Sequence, residues 1–567
     1  MMDDPDETMR MMGDDGEKMD GAQPEEAEED DKAKYKDVRN DGFDQDMIPP
    51  DNGAWYCSLC NWLASFYKRF DRPFATFFIV QNINHGMWVL AVLAVKDYYK
   101  EHLGLDPGEM QMYISLIHLP WSFKIIYGLI SDNVPLCGTR RKSWLIIMGL
   151  IQFFALFSLF LFEPGDPLVV ALVLGLASLS EAFTNVVSDA IMVIQSRKDR
   201  QFGSQDFVTL MYLATGIGGI IGCVAGGLMT QNYHPKWCFI GYSSMGLVVS
   251  AFACCLTKES EKDTTEADAP SQHSEGDIST SLEDFESEVR RELLARGVPA
   301  AEAEQAPVPK RDGFCYSLRK NCQAIGRALT MREIYCLVIF FIVKGILNPT
   351  FSEFSYFFLL NVIRISKFMF ALLILIGQLC HVLGALTYKA FCRSVDTRTM
   401  VLLAFTTASL GAFLNFCFAK RWNQDWGISD LVFLLFTDVV FEVVVTVLYT
   451  LPIMALFAKI TPRKIEGTVF ATLTGIMNFA STVIAPGMGS LINREFVGVH
   501  KTDLSQYSTL CLIAFCCSLL NFALLPLIPT KIQIRQFREY RAAQDEEQKE
   551  RRRERRAERA RLKAMMM

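Results

Sequence analysis

Few residue types can do chemistry inside an apolar run, and this chain places several of them there at helical spacing. Glu181, Asn185, Ser188 and Asp189 recur at intervals that put all four on one helical face. Asp438, Glu442 and Thr446 step by four, as do Lys344, Asn348 and Ser352, with Glu353 beside them. Gln81 and His85 stand four apart, with Trp88 one turn further on. Such sets offer carboxylates that accept hydrogen bonds or carry a proton, an ammonium for an anionic group, and rings to stack on. No nucleophile–base pair, metal cluster or nucleotide fingerprint stands out, so no enzyme activity, metal or cofactor is expected.

Retaining a charge at bilayer depth costs about 3 kcal/mol even on insertion scales, which favours a functional role for Asp189, Glu442 and Lys344. Asn185 and Ser188 read equally as cavity lining or as interhelical hydrogen bonds, which contribute only about 0.6–2 kcal/mol. His85 is at least as well explained as a hydrogen-bonded structural histidine. Lys124, about two turns before Asp132, reads as a side chain snorkelling to the interface.

Membrane-spanning helices are needed to hold these residues. The chain of 567 residues is 51% hydrophobic, and the apolar residues are concentrated by three polar blocks that lack them. A span takes about 20 mostly apolar residues. Candidates lie near 74–97, 109–131, 143–162, 168–195, 207–230 and 237–257, then 334–360, 368–391, 399–419, 429–458, 466–492 and 507–528. The expected fold is an all-α membrane protein of 12 transmembrane helices in two six-helix halves. The expected organisation is an acidic tail and pre-span segment (1–73), a first half (74–257), a polar linker (258–333), a second half (334–528) and a charged tail (529–567). These segments are called spans 1 to 12 below.

The loops after spans 2, 4, 8 and 10 each carry three basic residues, among them Arg140, Arg141 and Lys142, and the linker and C-terminal tail are also rich in Lys and Arg. Both termini and the linker should therefore be cytoplasmic. The acidic start lacks the pattern of a cleavable signal, so none is expected. The isolated "CSLC" at Cys57 to Cys60 has no second pair at zinc spacing. The run "ATGIGGIIGCVAGG" in span 5 has neither a preceding strand nor a P-loop lysine, so it reads as close helix packing.

The pieces Gly128-x3-Asp132 and Gly138-x-Arg140-Arg141-Lys142 resemble, with a few residues inserted, the loop 2–3 signature of the major facilitator superfamily. Its two six-helix halves are related by an axis along the membrane normal. The resemblance implies a central cavity lined by spans 1, 4, 7 and 10, which are the spans that carry the polar stripes. Longer pieces resemble one family within it, the folate–biopterin transporters: "VKDYYKEHLGLDPGEMQ", "LPWSFKIIYGLISDNVPLCGTRRKSWL", "SEAFTNVVSDAIMVIQSR" and "LPIMALFAKITPRKIEGTVFATLTGIMNFAS". The resemblance covers roughly 74–528. Two departures stand out. Ile125 replaces the proline common after the lysine of PW-x-x-K, and Asn185 replaces an acidic residue often found one turn before Asp189. The second removes an intramembrane carboxylate and bears on coupling and substrate choice.

The resemblance implies a secondary transporter of folate or pterin molecules, working by alternating access with proton coupling and embedded in lipid, with no nucleic-acid partner. Its binding residues would come from Gln81, His85, Trp88, Asn185, Asp189, Lys344, Asn348, Tyr356 and Glu442. Asp189 or Glu442 would meet the pterin edge and couple protons, Lys344 would meet the glutamate tail, and Trp88 or Tyr356 would stack. Asp132, Arg140 and Arg141 would form a cytoplasmic gate. The plasma membrane is the default location. Another small organic anion or amino-acid-like solute stays open as cargo, and a transport-inactive receptor or scaffold as another class. The tail "QDEEQKERRRERRAERARLK" reads better as a solvated helix than as one lying on anionic lipid.

Overall fold

The computed structural model describes residues 55–134, 136–139, 141–196, 199, 203–256, 326, 330–387, 395–460, 466–530, 532–534 and 536. The acidic tail, nearly all of the linker, most of the charged C-terminal tail and the side chains of Asp132, Arg140, Asp438 and Glu442 lie outside the described residues. The chain divides into two compact units, Met1–Ser65 and Phe66–Met567, and every span belongs to the second.

Among the described residues, regular structure is helical apart from isolated bridges such as Leu136 with Thr139. Ten helices among the described residues are long and apolar enough to cross a membrane, and they fall at expected spans 1–7, 9, 11 and 12. Spans 1 to 6 are Arg72–His102, Pro107–Ser131, Lys142–Phe162, Pro167–Ser196, Asp206–Asn232 and Lys236–Cys254. Spans 7, 9, 11 and 12 are Ile334–Ile363, Thr397–Ala419, Val469–Val497 and Tyr507–Ile534. Helix Lys367–Thr387 stands at the eighth place, with a described apolar stretch of only Lys367–Leu379. Helical segments Asp430–Leu434, Leu435–Phe441 and Glu442–Ile460 stand at the tenth.

Several spans are interrupted where the sequence weakens the α-helix. Pro120 lies in a 3-10 turn, Leu119–Phe123, inside span 2. Span 7 stops at Leu347, leaves Asn348–Phe351 non-helical and resumes at Ser352, the break expected from Pro349. A π-helical stretch, Leu435–Phe441, immediately precedes Glu442.

Contacts define two opposite ends of the bundle. Arg69, just before span 1, donates to Asp199 in loop 4–5 at 2.6 Å and to Asp206 at 2.5 Å. Lys142 donates to the carbonyls of Cys254, the last residue of span 6, and Leu256 just beyond it. These mark the even-loop face. At the other end Tyr98 donates to the Pro164 carbonyl in loop 3–4, and Asp97 pairs with Lys367 after span 7. That end is the odd-loop face.

The glycine run of span 5 packs against span 1, as its spacing predicts. A methyl group added at Gly218 would collide with the Ile83 carbonyl, and one added at Gly86 with the Thr215 carbonyl. Backbone cannot yield as a side chain can, so the two helices approach only because neither carries a Cβ at the crossing. Gly218→Val should lower the melting temperature of the purified protein by the equivalent of at least about 1–3 kcal/mol. Gly216→Ala, which meets nothing within 4 Å, should leave it unchanged.

Candidate functional site

Glu181 in span 4 is the most enclosed acid of the stripe, 1% exposed. Its charge is met from span 1: Asn84 Nδ2 donates to Oε2 at 2.6 Å and Gln81 Nε2 to Oε1 at 3.3 Å. His85 Nδ1 lies 3.1 Å from Oε1. Asn84 and Gln152 of span 3 exchange amide hydrogen bonds at 3.1 and 2.9 Å, and Tyr242 of span 6 donates to the Asn84 carbonyl. A buried carboxylate is tolerable only with such donors, so this network fixes spans 1, 3, 4 and 6 to one another. Asn84 and Gln152 were absent from the sequence expectation. Their signal was present: Asn84 lies on the Gln81 face, and Gln152 is an amide in an apolar run.

His85, whose side chain is 33% exposed, leads out of this network. Its ring centroid is 5.3 Å from that of Trp121 in the span 2 turn. Lys124 Nζ stands 4.6 Å over the Trp121 ring and donates to Asn185 Oδ1 at 3.1 Å. The snorkelling expected of Lys124 is therefore corrected. Its head turns to span 4, where an amide acceptor and an aromatic face replace water. Asp189, one turn beyond Asn185, lies within electrostatic reach of Lys124 and His85 and makes no hydrogen bond among the described residues. The two acids of span 4 thus differ: Glu181 is met by three side chains of span 1, whereas Asp189 is half-buried near a cation with no hydrogen bond among the described residues.

Lys344 occupies the second set of helices. Its Nζ sits 4.7 Å over the Tyr449 ring, and it lines a cavity of about 90 Å³ with Asn348, Thr350, Met477 and Ser481. Asn348, at the break in span 7, accepts from Asn521 Nδ2 at 3.2 Å. It also borders a larger cavity of about 410 Å³ shared with Asn415, Thr437, Phe441 and Tyr507. Span 11 joins the charged groups, because Met477 lines the Lys344 cavity while Asn478 Nδ2 reaches the Trp121 carbonyl at 3.4 Å.

Two expected binding residues are placed elsewhere. Trp88 packs against the rings of His118 and Tyr242, 6.0 and 5.9 Å away. Tyr356 is buried at the odd-loop face against Phe370, with Lys96 Nζ 5.4 Å over its ring.

The sequence profile of the BT1 family matches residues 85–548 of this chain. The chain belongs to the BT1 family. A folate-biopterin transporter of Synechocystis is 26% identical over 444 residues, covering 78% of this chain and 79% of the relative. A probable folate-biopterin transporter 4 of Arabidopsis thaliana is 22% identical over 453 residues, covering 76% and 92%. Among solved structures, the nucleoside transporter NupG aligns with a TM-score of 0.57 at 12% identity, covering 81% of this chain and 100% of NupG. A D-xylose-proton symporter aligns at 0.53 and 12%, covering 79% and 96%. The fold is that of the major facilitator transporters, and this BT1 chain is a multi-pass membrane transporter rather than an enzyme.

The gate expected at Asp132, Arg140 and Arg141 falls largely outside the described residues; Arg141 itself caps the start of span 3, partly buried. At the odd-loop face, polar contacts join the first helices to spans 7 and 11. Lys96 of span 1 donates to both Glu353 oxygens of span 7, at 2.7 and 2.9 Å. Asp97 pairs with Lys367. Gln111 Nε2 of span 2 faces the carbonyls of Thr350 and Pro486 at 2.9 and 2.7 Å and Ser490 Oγ at 3.2 Å. The first helices are thereby tied to spans 7 and 11 through charges too far apart in sequence to be paired from spacing.

The Glu181 network yields a stability test. Asn84→Leu removes the sole donor to Glu181 Oε2 among the described residues and leaves the buried Gln152 amide without its partner, so it should cost about 3–5 kcal/mol in thermal or denaturant unfolding. Adding Glu181→Gln to it should recover part of that loss. Equal losses in the single and double variants would remove the charge from the explanation.

Proposed function

We propose that this BT1 chain carries folate or pterin molecules by alternating access, coupled to protons. The reading rests on one arrangement: the Asp189 carboxylate, without a hydrogen bond among the described residues, near Lys124, which lies over Trp121 next to His85. A pterin is a flat ring with a guanidine-like edge of donors, and folate adds an anionic glutamate tail. Asp189 takes the donor edge, Trp121 the ring face, and Lys344 the tail. Trp121 assumes the stacking role first considered for Trp88 and Tyr356, whose rings are engaged elsewhere. Asn185 fits the same scheme, since it accepts from Lys124 without neutralising it and leaves that charge to Asp189 and the substrate.

Asp189 and Glu442 are the proton-coupling carboxylates in this reading. A carboxylate that changes protonation as solute enters a low-dielectric cavity links the two gradients. The two halves, 74–257 and 334–528, rock about a midplane site. With both termini cytoplasmic, the odd-loop face is the outer one, and the Lys96–Glu353 and Asp97–Lys367 pairs with the Gln111 contacts form a latch that closes it. The names of the relatives support the substrate class, and the plasma membrane is the default location.

The test is uptake of labelled folate and biopterin into proteoliposomes with and without an inward proton gradient. Saturable, gradient-driven uptake is expected, with Asp189→Asn and Glu442→Gln abolishing the gradient dependence. Lys344→Gln should weaken folate more than biopterin, which lacks the tail. No uptake by folded wild-type protein would sink the pterin assignment, and a screen of other small organic anions would follow.

The latch supplies a second check. Lys96→Glu should raise the labelling rate of a cysteine placed at Thr350 in liposomes, and the swap Lys96→Glu with Glu353→Lys should return it toward wild type. Labelling indifferent to both would mean that the pair does not govern access.

A further inference from the structure

Three potential metal ligands from remote parts of the chain converge at the odd-loop face, away from the transport site. His102 closes the π-helical end of span 1. Glu163 caps span 3 with a φ of 45°, a left-handed conformation uncommon for a residue with a side chain. His234 stands just before Pro235 and span 6. The imidazole rings lie 4.2 Å apart at 78°, and His234 Nε2 is 3.1 Å from Nδ1 and 3.0 Å from Nε2 of His102. One N–H aimed between two ring nitrogens cannot lie along both lone pairs, so this is a poor hydrogen bond. The spacing instead approaches the roughly 3.3 Å edge of a tetrahedral shell with zinc bonds of about 2.0–2.1 Å. One ligand atom from each of the three side chains falls within 4.8 Å of the others. Their separation in sequence hides them from any ligand-spacing rule, which explains the expectation of no metal.

We propose that His102, Glu163 and His234 form a site for a first-row divalent transition metal, with two imidazoles, one carboxylate and a position left for water. Lys236 is the resident competitor. Its ammonium lies 2.6 Å from Glu163 Oε1, and its backbone N–H lies 3.3 Å from His234 Nδ1. Metal capture releases the ammonium from the carboxylate. It also opens the long contact at Nδ1, so that the imidazole proton resides there and the Nε2 lone pair faces the metal. The ammonium keeps its place near the Phe160 ring, 5.9 Å away. Bound metal ties the outer ends of spans 1, 3 and 6 together.

The test uses the full-length, tag-free protein in nanodiscs, titrated with Zn²⁺ and separately with Co²⁺. One saturable site is expected, with a zinc-dependent rise in melting temperature. The cobalt spectrum should show ligand-field bands without a thiolate charge-transfer band. His102→Ala and His234→Ala should each weaken binding at least about tenfold. Lys236→Gln keeps all three ligands and removes the competing cation, so it should tighten binding. Absence of zinc binding, binding unchanged in both alanine variants, or a thiolate band marking the cysteines would each overturn the site. Should the alanine variants fail to fold, Lys236→Gln decides the matter, and unchanged affinity there would overturn it.

Discussion

A carboxylate withdrawn from water must be supplied with donors, and the first six helices are arranged around that requirement. Glu181 cannot be satisfied by its own helix, whose N–H groups are committed to the backbone. Its donors come from span 1, and Asn84 is itself oriented by Gln152 of span 3 and bonded at its carbonyl by Tyr242 of span 6. The close crossing of spans 1 and 5, through glycines on both helices, holds span 1 at the rotation that presents those amides. With this framework fixed, the less enclosed residues on the same stripe, Asn185 and Asp189, are left to face the Lys124 cation.

The periodic part of this architecture was legible in the sequence. Steps of four in span 4 placed Glu181, Asn185 and Asp189 on one face, and hydropathy located the ten membrane-length helices found among the described residues. What the sequence withheld was relation between helices. A lysine near a helix end has two ways to escape lipid, outward to water or sideways to a neighbour. Only the position of Asn185 and the span 2 turn at Trp121 decides that Lys124 turns sideways. Trp88 and Tyr356 have the correct chemistry for stacking, but their neighbours, Tyr242 and Phe370, already occupy their rings. A single sequence holds no record of such occupancy.

The interruptions in the helices follow the same division of labour. Rigid packing prevails where glycines let backbones touch, whereas the irregular stretches Asn348–Phe351, Leu435–Phe441 and Ala480–Ile484 contribute to the cavity walls. Membrane proteins tolerate non-helical backbone only where protein or a cavity satisfies its polar groups. The break at Asn348–Phe351 meets this condition: the Thr350 N–H donates to the Ala485 carbonyl, and the Thr350 carbonyl accepts from Gln111. Lys344 and Asn348 consequently face cavities at a point where span 7 can bend.

Gln111 carries a mechanical consequence. Its amide nitrogen has two hydrogens and three acceptors within reach, on spans 7 and 11. One acceptor is always in excess, so a small displacement of either helix exchanges one bond for another instead of leaving a hydrogen without a partner. Such a junction resists separation but not sliding. It lets span 2 shift slightly along spans 7 and 11 with both hydrogens still bonded, at the same face where Lys96 pairs with Glu353.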